Sequence, residues 1–297
     1  MTSTKMQCPA KINLFLEITG QRADGYHRLA TLFAKINLYD VLELETARSG
    51  VALEVVSDAD ASLSAGPDNL VWRAAEAFLK AFRVDGGVRL RLTKRIPMGA
   101  GLGGGSSDAA GTLAGMIKLF EIKLDAKKRS GLHRIAASLG ADVPFFLHPA
   151  PFCLGTGIGD RLKPIKVLKS LPYMVLVYPG LHVSTVQAYK ALAQPARPVV
   201  LTRLSHLDKL IRSLERGRPV EEWEGLLFNR LEEARLPVLA QVEQARKVLL
   251  QLGLRGARMS GSGSSVFAFA GSHAEAEAAC KRLEGYPWKV FLTCCNG

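Results

Sequence analysis

The stretch Pro97-Met98-Gly99-Ala100-Gly101-Leu102-Gly103-Gly104-Gly105-Ser106-Ser107-Asp108 constrains this chain more than any other. Five glycines fall within seven residues, and two hydroxyls and a carboxylate follow. Glycine reaches φ > 0 and lets the backbone approach a ligand with no Cβ in the way. The apolar segment from Ala109 to Phe120 comes next and reads as a helix. Its N-terminus offers unpaired N–H groups and the positive end of the helix dipole. Upstream, Val88, Leu90 and Leu92 alternate with Arg89, Arg91 and Thr93, the pattern of a strand with one basic face. Strand, glycine-rich loop and helix in that order make an anion site, most often for phosphate. A plain flexible turn has no need of this order of Gly, Ser and Asp at a helix start.

Three familiar phosphate-binding schemes do not fit. Gly99, Gly101 and Gly104 satisfy G-x-G-x-x-G, but a dinucleotide fold places that motif after its first strand, and here nearly a hundred residues precede it. The acid that such a fold needs about 20 residues on would be Glu121 or Asp125, at a helix end and not a strand end. No Walker lysine follows the glycines. The His-Arg-Asp and Asp-Phe-Gly elements of protein kinases are absent.

A chain of 297 residues, 48% hydrophobic, supports a large core and one or two domains. The net charge of +12 favours an anionic partner such as a nucleotide or phosphorylated metabolite. The excess is spread out. Its densest pieces, Arg89, Arg91, Lys94 and Arg95 and then Lys163, Lys166 and Lys169, fit a solvated surface better than a polynucleotide footprint. Five cysteines, an odd number, form no Cys-x-x-Cys and have no His at zinc-ligand spacing. With no signal peptide in view, a reducing cytoplasm is expected. No apolar run approaches the ~20 residues of a membrane span.

Residues 7–19 read as a half-buried strand, with Ile12, Leu14, Leu16 and Ile18 on one face. Lys11, Asn13, Glu17 and Thr19 share the other, with Phe15 as the exception, and Lys11 and Asn13 project together as a functional pair or as an ordinary solvent-facing one. Arg22-Ala23-Asp24-Gly25 is a turn, and Tyr26-His27 after it is either a binding tip for a flat ligand or loop packing. Strands are expected over 29–38, 41–45 and 51–56. A helix should start at Pro67-Asp68-Asn69, with Asp68 or Asn69 as cap. A second should run from Ala126 to Leu139 and end on Gly140 as a C′ glycine. Asp142, between that glycine and Pro144, sits on a fixed loop, where it is either a turn residue or a functional carboxylate. Gly155–Asp160 reads as another loop, and Pro164–Pro172 as a linker or crossing strand. Beyond it, strands are expected over 173–178, 266–270 and 288–293. Helices are expected over 185–193, 203–215, 221–234, 238–252 and 274–283. Helices against an antiparallel sheet make an α+β second half. The loop Ser260-Gly261-Ser262-Gly263-Ser264-Ser265 is a second anion contact or a tight hairpin.

Pro97–Asp108 resembles the central motif of the GHMP small-molecule kinases, Pro-x-Gly-x-Gly-Leu-Gly-(Gly/Ser)-Ser-Ser. Pro9-Ala10-Lys11-Ile12-Asn13-Leu14 resembles that family's first motif, and Met259-Ser260-Gly261-Ser262-Gly263 its third. Three motifs in order span nearly the whole chain. Within the family, Arg22-Ala23-Asp24-Gly25-Tyr26-His27 and Gly140-Ala141-Asp142-Val143-Pro144-Phe145-Phe146 point to the branch that acts on a cytidyl-diphosphate alcohol.

The resemblance implies an α+β, two-domain GHMP kinase fold. A β-rich N-terminal ATP-binding and catalytic domain would cover 1–163, and a ferredoxin-like α+β substrate-side domain 164–297, with the active site in the cleft between them. It implies ATP and Mg²⁺, and γ-phosphoryl transfer to a tertiary hydroxyl. Pro97, Gly99, Gly101, Leu102, Gly103, Gly104, Gly105, Ser106 and Ser107 would cradle the ATP phosphates, and Asn69 and Lys94 would line the nucleoside pocket. Asp142 would be the general base. Lys11 would lie between it and the hydroxyl, and Asn13 would orient the substrate. Tyr26 and His27 would hold the cytosine, with Tyr189 as a second stacking ring. A monomer or weak homodimer, with no nucleic-acid or membrane partner, is expected. The alternatives are a kinase of the same fold for another alcohol, of mevalonate or homoserine type, and a non-catalytic basic nucleic-acid binder.

The chain departs from the pattern in three places. His148-Pro149-Ala150-Pro151 stands where a Gly-rich turn is usual, Asn229-Arg230 replaces Asn-Asp, and Cys294-Cys295-Asn296-Gly297 matches nothing in the family.

Overall fold

A computed structural model of the chain describes residues 2–57, 63–192 and 197–295. Contacts divide the chain into two compact units that interleave along the sequence. The first comprises Met1–Ala10, Leu38–Pro97 and Gly103–Pro149, and the second Lys11–Asn37, Met98–Leu102 and Ala150–Gly297. Two long strands, β1 (Ser3–Gln21) and β2 (His27–Ala47), contribute to both units, so the units are not contiguous stretches divided at 163. The expected pair of strands at 29–38 and 41–45 is the single strand β2. Asp40, in the gap between the two expected strands, is fully buried and its Oδ1 accepts from the backbone N–H groups of Arg95 (2.5 Å) and Ile96 (2.9 Å).

In the first unit, β3 (Gly50–Ser57) runs parallel to β4 (Gly87–Lys94), which pairs antiparallel with the far half of β2. Between β3 and β4 comes α1 (Leu70–Phe82). Its cap is Asn69, whose side chain accepts from the N–H of Val71, and it buries Val71, Ala74, Ala75 and Phe78 at helical spacing. Three helices follow: α2 (Gly104–Leu119), α3 (Ala126–Leu139) and α4 (Val143–Leu147). The helix α2 starts inside the glycine run, five residues before the expected Ala109. Asp125 caps α3, its side chain accepting from the N–H of Lys128. Gly140 ends α3 with φ 169, extended backbone and not the left-handed C′ conformation expected. Pro144 fits the first turn of α4, where a missing N–H costs nothing.

In the second unit, β5 (Phe152–Thr156) pairs antiparallel with the near half of β2 and forms a hairpin with β6 (Arg161–Pro164); of the loop read at Gly155–Asp160, residues 157–160 are the turn, while Gly155 and Thr156 pair within the hairpin. Then come β7 (Met174–Tyr178), α5 (Thr185–Lys190) and α6 (Arg197–Glu215). The end expected for the first of these helices, residue 193, lies outside the described residues. The helix expected over 221–234 does not form. Gly225 interrupts it, and short 3₁₀ turns flank a two-residue strand β8 (Phe228–Asn229) that pairs parallel with β1, Phe15 opposite Phe228. The rest is α7 (Leu239–Gln251), β9 (Arg255–Met259), β10 (Val266–Phe269), α8 (His273–Leu283) and β11 (Lys289–Thr293).

Strands β7, β9, β10 and β11 form an antiparallel sheet in the order β11-β7-β10-β9. Counted within the sheet this is 4-1-3-2, with α7 and α8 as crossovers, which is the ferredoxin-like arrangement expected. Val242, Ala245 and Leu249 of α7 and Ala276, Ala279 and Leu283 of α8 bury against Val175, Val177, Val266 and Ala268. Among the described residues no helix is long and apolar enough to cross a membrane.

Candidate active site

The predicted half-exposed face of β1 is buried. Lys11 is 4% and Asn13 2% exposed, on a strand whose two faces are both covered from Ala10 to Ile18. A buried ammonium and amide must be hydrogen-bonded, and a relay does this. Lys11 Nζ donates to Asn13 Oδ1 (2.6 Å), Asn13 Nδ2 donates to Thr31 Oγ1 (2.7 Å), and Thr31 Oγ1 donates to the carbonyl of Phe15 (2.7 Å). The relay fixes the amide with its oxygen towards the lysine. The Phe33 ring lies beneath the ammonium, 5.6 Å from it.

The first part of the glycine-rich stretch, Met98–Leu102, belongs to the second unit. The backbone N–H of Lys11 donates to the carbonyl of Leu102 (2.9 Å), which ties this part to β1. The second Gly/Ser loop grips it from another direction. Ser260 Oγ donates to the carbonyl of Gly101 (3.0 Å), and the N–H of Ser265 to that of Ala100 (3.2 Å). The loop at 260–265 is therefore the β9–β10 hairpin turn and also a brace for the first loop. It is itself held by Asn229, whose Nδ2 donates to the carbonyls of Met259 and Gly261 (2.8 Å each). Gly261 sits against the relay: a Cβ on it would stand 3.1 Å from Lys11 Nζ and 3.4 Å from Asn13 Oδ1.

The second part, from Gly103 on, belongs to the first unit. Gly103 caps α2 in the left-handed conformation, φ 71, with no side chain to occupy the space ahead of the helix. The N–H groups of Gly104, Gly105 and Ser106 have no intrahelical acceptor by position, and the first helical bond runs from Ser107 N to Gly103 O. Ser107 Oγ is buried and has no hydrogen-bond partner among the described residues. A cradle of donors with an orphaned hydroxyl fits a phosphate group. Pro97 and Leu102 are buried and shape the loop by packing.

Asp142 is the N-cap residue of α4, and its carbonyl accepts from the N–H groups of Phe145 and Phe146. The turn that carries it lies beside α2, since a Cβ on Gly140 would stand 3.6 Å from Ser106 Oγ. Asp142, Ser106 and Ser107 thus belong to the first unit, and Lys11, Asn13, Tyr26, His27 and Tyr189 to the second.

His27 and Tyr189 stack, with ring centroids 5.1 Å apart and planes inclined by 22°. Tyr26 is 61% exposed at the tip of a turn closed by the Arg22–Asp24 ion pair (2.7 Å) and by Tyr26 N–H donating to Asp24 Oδ1 (3.3 Å).

Asn69 and Lys94 are both held by hydrogen bonds within the protein. Besides capping α1, Asn69 donates through Nδ2 to the carbonyl of Ser64 (2.8 Å). Lys94 Nζ is buried between two carboxylates, Asp40 Oδ2 and Asp108 Oδ2, the latter at 2.7 Å. Burial disfavours the ammonium, but the two carboxylates outweigh this and raise its pKa above the ordinary lysine range. Arg230, the unusual residue after Asn229, is buried beside Glu17 (4.0 Å) and pairs with Glu233. Sequence reasoning missed Thr31, Asp40, Asn229 and Ser260 as supports. For Thr31 and Asp40 the signal was a polar residue type on an otherwise apolar strand, and for Ser260 its place in the second Gly/Ser loop. Among the described residues no group of three or more His, Cys, Asp or Glu side chains could hold a metal ion.

Two family models match the chain: GHMP kinases N terminal domain over residues 69–149 and GHMP kinases C terminal over 199–287. The chain is 40% identical over 288 residues to a 4-diphosphocytidyl-2-C-methyl-D-erythritol kinase of Citrifermentans bemidjiense, covering 95% of this chain and 96% of that one. A crystal structure of 4-(cytidine 5'-diphospho)-2C-methyl-D-erythritol kinase superposes with a TM-score of 0.78 at 36% identity, covering 99% and 100% of the two chains. Homoserine kinase from Cytophaga hutchinsonii shares the fold, with a TM-score of 0.77 at 21% identity, covering 99% and 95%.

Proposed function

Because this chain belongs to the GHMP kinase family, we propose that it transfers the γ-phosphoryl group of ATP to the 2-hydroxyl of 4-diphosphocytidyl-2-C-methyl-D-erythritol, a step of non-mevalonate isoprenoid precursor synthesis. The observation that carries this reading is the 40% identity over nearly the full length to a kinase of that name. The stacked pair His27–Tyr189 agrees with it, because a cytosine ring is held by aromatic faces and by hydrogen bonds to its edge.

Phosphoryl transfer asks a protein mainly for positioning and charge neutralisation. The N–H groups at the start of α2 and the hydroxyls of Ser106 and Ser107 hold the ATP phosphates. Magnesium is part of the nucleotide substrate and screens the phosphate charge. Asp142 accepts the proton of the attacking hydroxyl as its oxygen bonds to phosphorus and the bond to ADP breaks. Lys11, held by Asn13, presents the positive charge that steadies the transferring group. Tyr26, His27 and Tyr189 take the cytosine. Asn69 and Lys94, each fixed by its own hydrogen bonds, line the nucleoside pocket.

The second reading, a kinase for another alcohol, draws on the fold shared with homoserine kinase. A substrate panel separates the two. The cytidyl substrate should release ADP at a kcat/KM at least about a hundredfold above mevalonate or homoserine, the gap expected when buried recognition groups go unpaired. Preference for either small alcohol would overturn the proposal.

A further inference from the structure

In the transfer just described, the buried cluster under α2 enters only through Lys94, and neither of its two carboxylates has a role. Lys94 Nζ bridges Asp40 and Asp108, whose side chains come from β4, β2 and α2. The two carboxylates are not equivalent. Asp40 is the more fully engaged: Oδ2 takes Lys94, and Oδ1 takes the N–H groups of Arg95 and Ile96. Asp108 takes Lys94 on Oδ2 (2.7 Å), while its Oδ1 is buried with no partner among the described residues. Asp108 follows Ser106 and Ser107 directly, in the second turn of α2. The ammonium it holds lies against the first turn, where a Cβ on Gly104 would stand 3.2 Å from Lys94 Nζ.

We propose that Asp108 is a positioning residue of the ATP site: bound through Lys94 to Asp40, its carboxyl sets the charge beneath the first turn of α2 and so the strength with which that turn holds phosphate. This rests on the kinase reading above. With Asp108 ionised the three groups carry a net charge of −1, and with Asp108 protonated they are neutral. A buried negative charge behind an anion cradle is weakly screened and opposes the triphosphate. Geometry singles out Asp108 as the one that takes the proton, since a proton on Oδ1 displaces no existing bond. Burial, opposed by Lys94 and assisted by Asp40, pushes this carboxyl up to about 7. The other titratable group facing it is Cys8 on β1. Burial and the two carboxylates raise the Cys8 thiol well above its ordinary range, so it stays neutral. Phosphate binding by this turn therefore weakens as pH rises through 7, beyond the titration of the nucleotide itself.

The test uses the full chain and magnesium with the non-hydrolysable ATP analogue AMP-PNP, whose own titration is common to every protein compared. Kd is measured calorimetrically from pH 6 to 8.5 for wild type and Asp108→Asn, which keeps an acceptor for Lys94 but has no charge to gain. The ratio of wild-type to variant Kd should rise roughly three- to tenfold across that range. A ratio constant within about twofold would overturn the proposal. Should the variant not fold, carbon-13 NMR of the Asp108 carboxyl in wild type decides. Reciprocity requires bound analogue to raise its midpoint, and an unmoved midpoint would overturn the proposal. Failure of wild type to bind the analogue at any pH would overturn the kinase reading itself, and this proposal with it.

Discussion

Gly101 and Ser260 meet backbone to backbone: a Cβ on Gly101 would stand 2.0 Å from the carbonyl oxygen of Ser260, and Ser260 Oγ donates to the carbonyl of Gly101 (3.0 Å). Two loops 159 residues apart in sequence are thereby held in one arrangement. The second loop meets Lys11 and Asn13 through Gly261, so the same contact couples the glycine-rich loop to the Lys11 relay.

Gly101→Ala should therefore be severe. The residue has φ +76, which costs an L side chain about 1–2 kcal/mol, and its methyl meets a backbone oxygen that cannot rotate away. A loss of about 2–4 kcal/mol in a urea melt is expected. Ser260→Ala, which removes one hydrogen bond, should cost about 1 kcal/mol. Equal, small effects would mean that the two loops do not support each other.

Asp142→Asn keeps the shape of the side chain and removes the proton acceptor. Its kcat for the cytidyl substrate should fall by roughly 10²–10⁴, with Kd for ATP changed less than about threefold. Lys11→Met in the same assay should lose about 10²–10³ in kcat. Near wild-type turnover by either variant would remove that residue from the chemistry.

Tyr189→Ala removes the ring stacked on His27. An aromatic face under a base contributes about 1–3 kcal/mol, so KM for the cytidyl substrate should rise about fivefold or more while KM for ATP stays put. Parallel increases in both would argue against a cytosine platform.

Asp108 has a consequence for stability as well as for binding. Its folded pKa of about 7 lies above the value near 3.9 of an unfolded aspartate. The folded state therefore binds the proton more tightly between those limits. The stabilising contribution is complete below about pH 4 and is lost as pH rises towards 7, by no more than about 4 kcal/mol. The difference in urea midpoint between Asp108→Asn and wild type should move in the variant's favour from pH 4.5 to 7.5. A pH-independent difference would contradict a raised carboxyl.

The strand, glycine loop and helix around residue 100 were legible because glycine count, hydroxyls and alternating apolar residues are local signals. So were α1, with Asp68 or Asn69 as its cap, and α3 over Ala126–Leu139. The supports were not, because their partners are far apart in sequence. Asp40 and Lys94 are 54 residues apart, and nothing local to either announces the pairing. The burial of Lys11 and Asn13 was hidden for a related reason. Alternation reports that two faces differ in polarity, not that the polar face is covered. The segment 221–234 carries a helical pattern, yet pairing of Phe228 and Asn229 with β1 overrides it. Tyr189 had no local pattern at all. Only the family resemblance brought it to notice, and the structure stacks it on His27.

The central claim, phosphorylation of the 2-hydroxyl of the cytidyl substrate, is tested most directly by the product. Purified protein is incubated with ATP, Mg²⁺ and 4-diphosphocytidyl-2-C-methyl-D-erythritol, and phosphorus-31 NMR follows the mixture. One new phosphomonoester resonance should grow in step with ADP, assigned to the tertiary carbon by its lack of coupling to a carbinol proton. ADP with no new phosphomonoester, or a phosphoryl group on a primary or secondary hydroxyl, would contradict it.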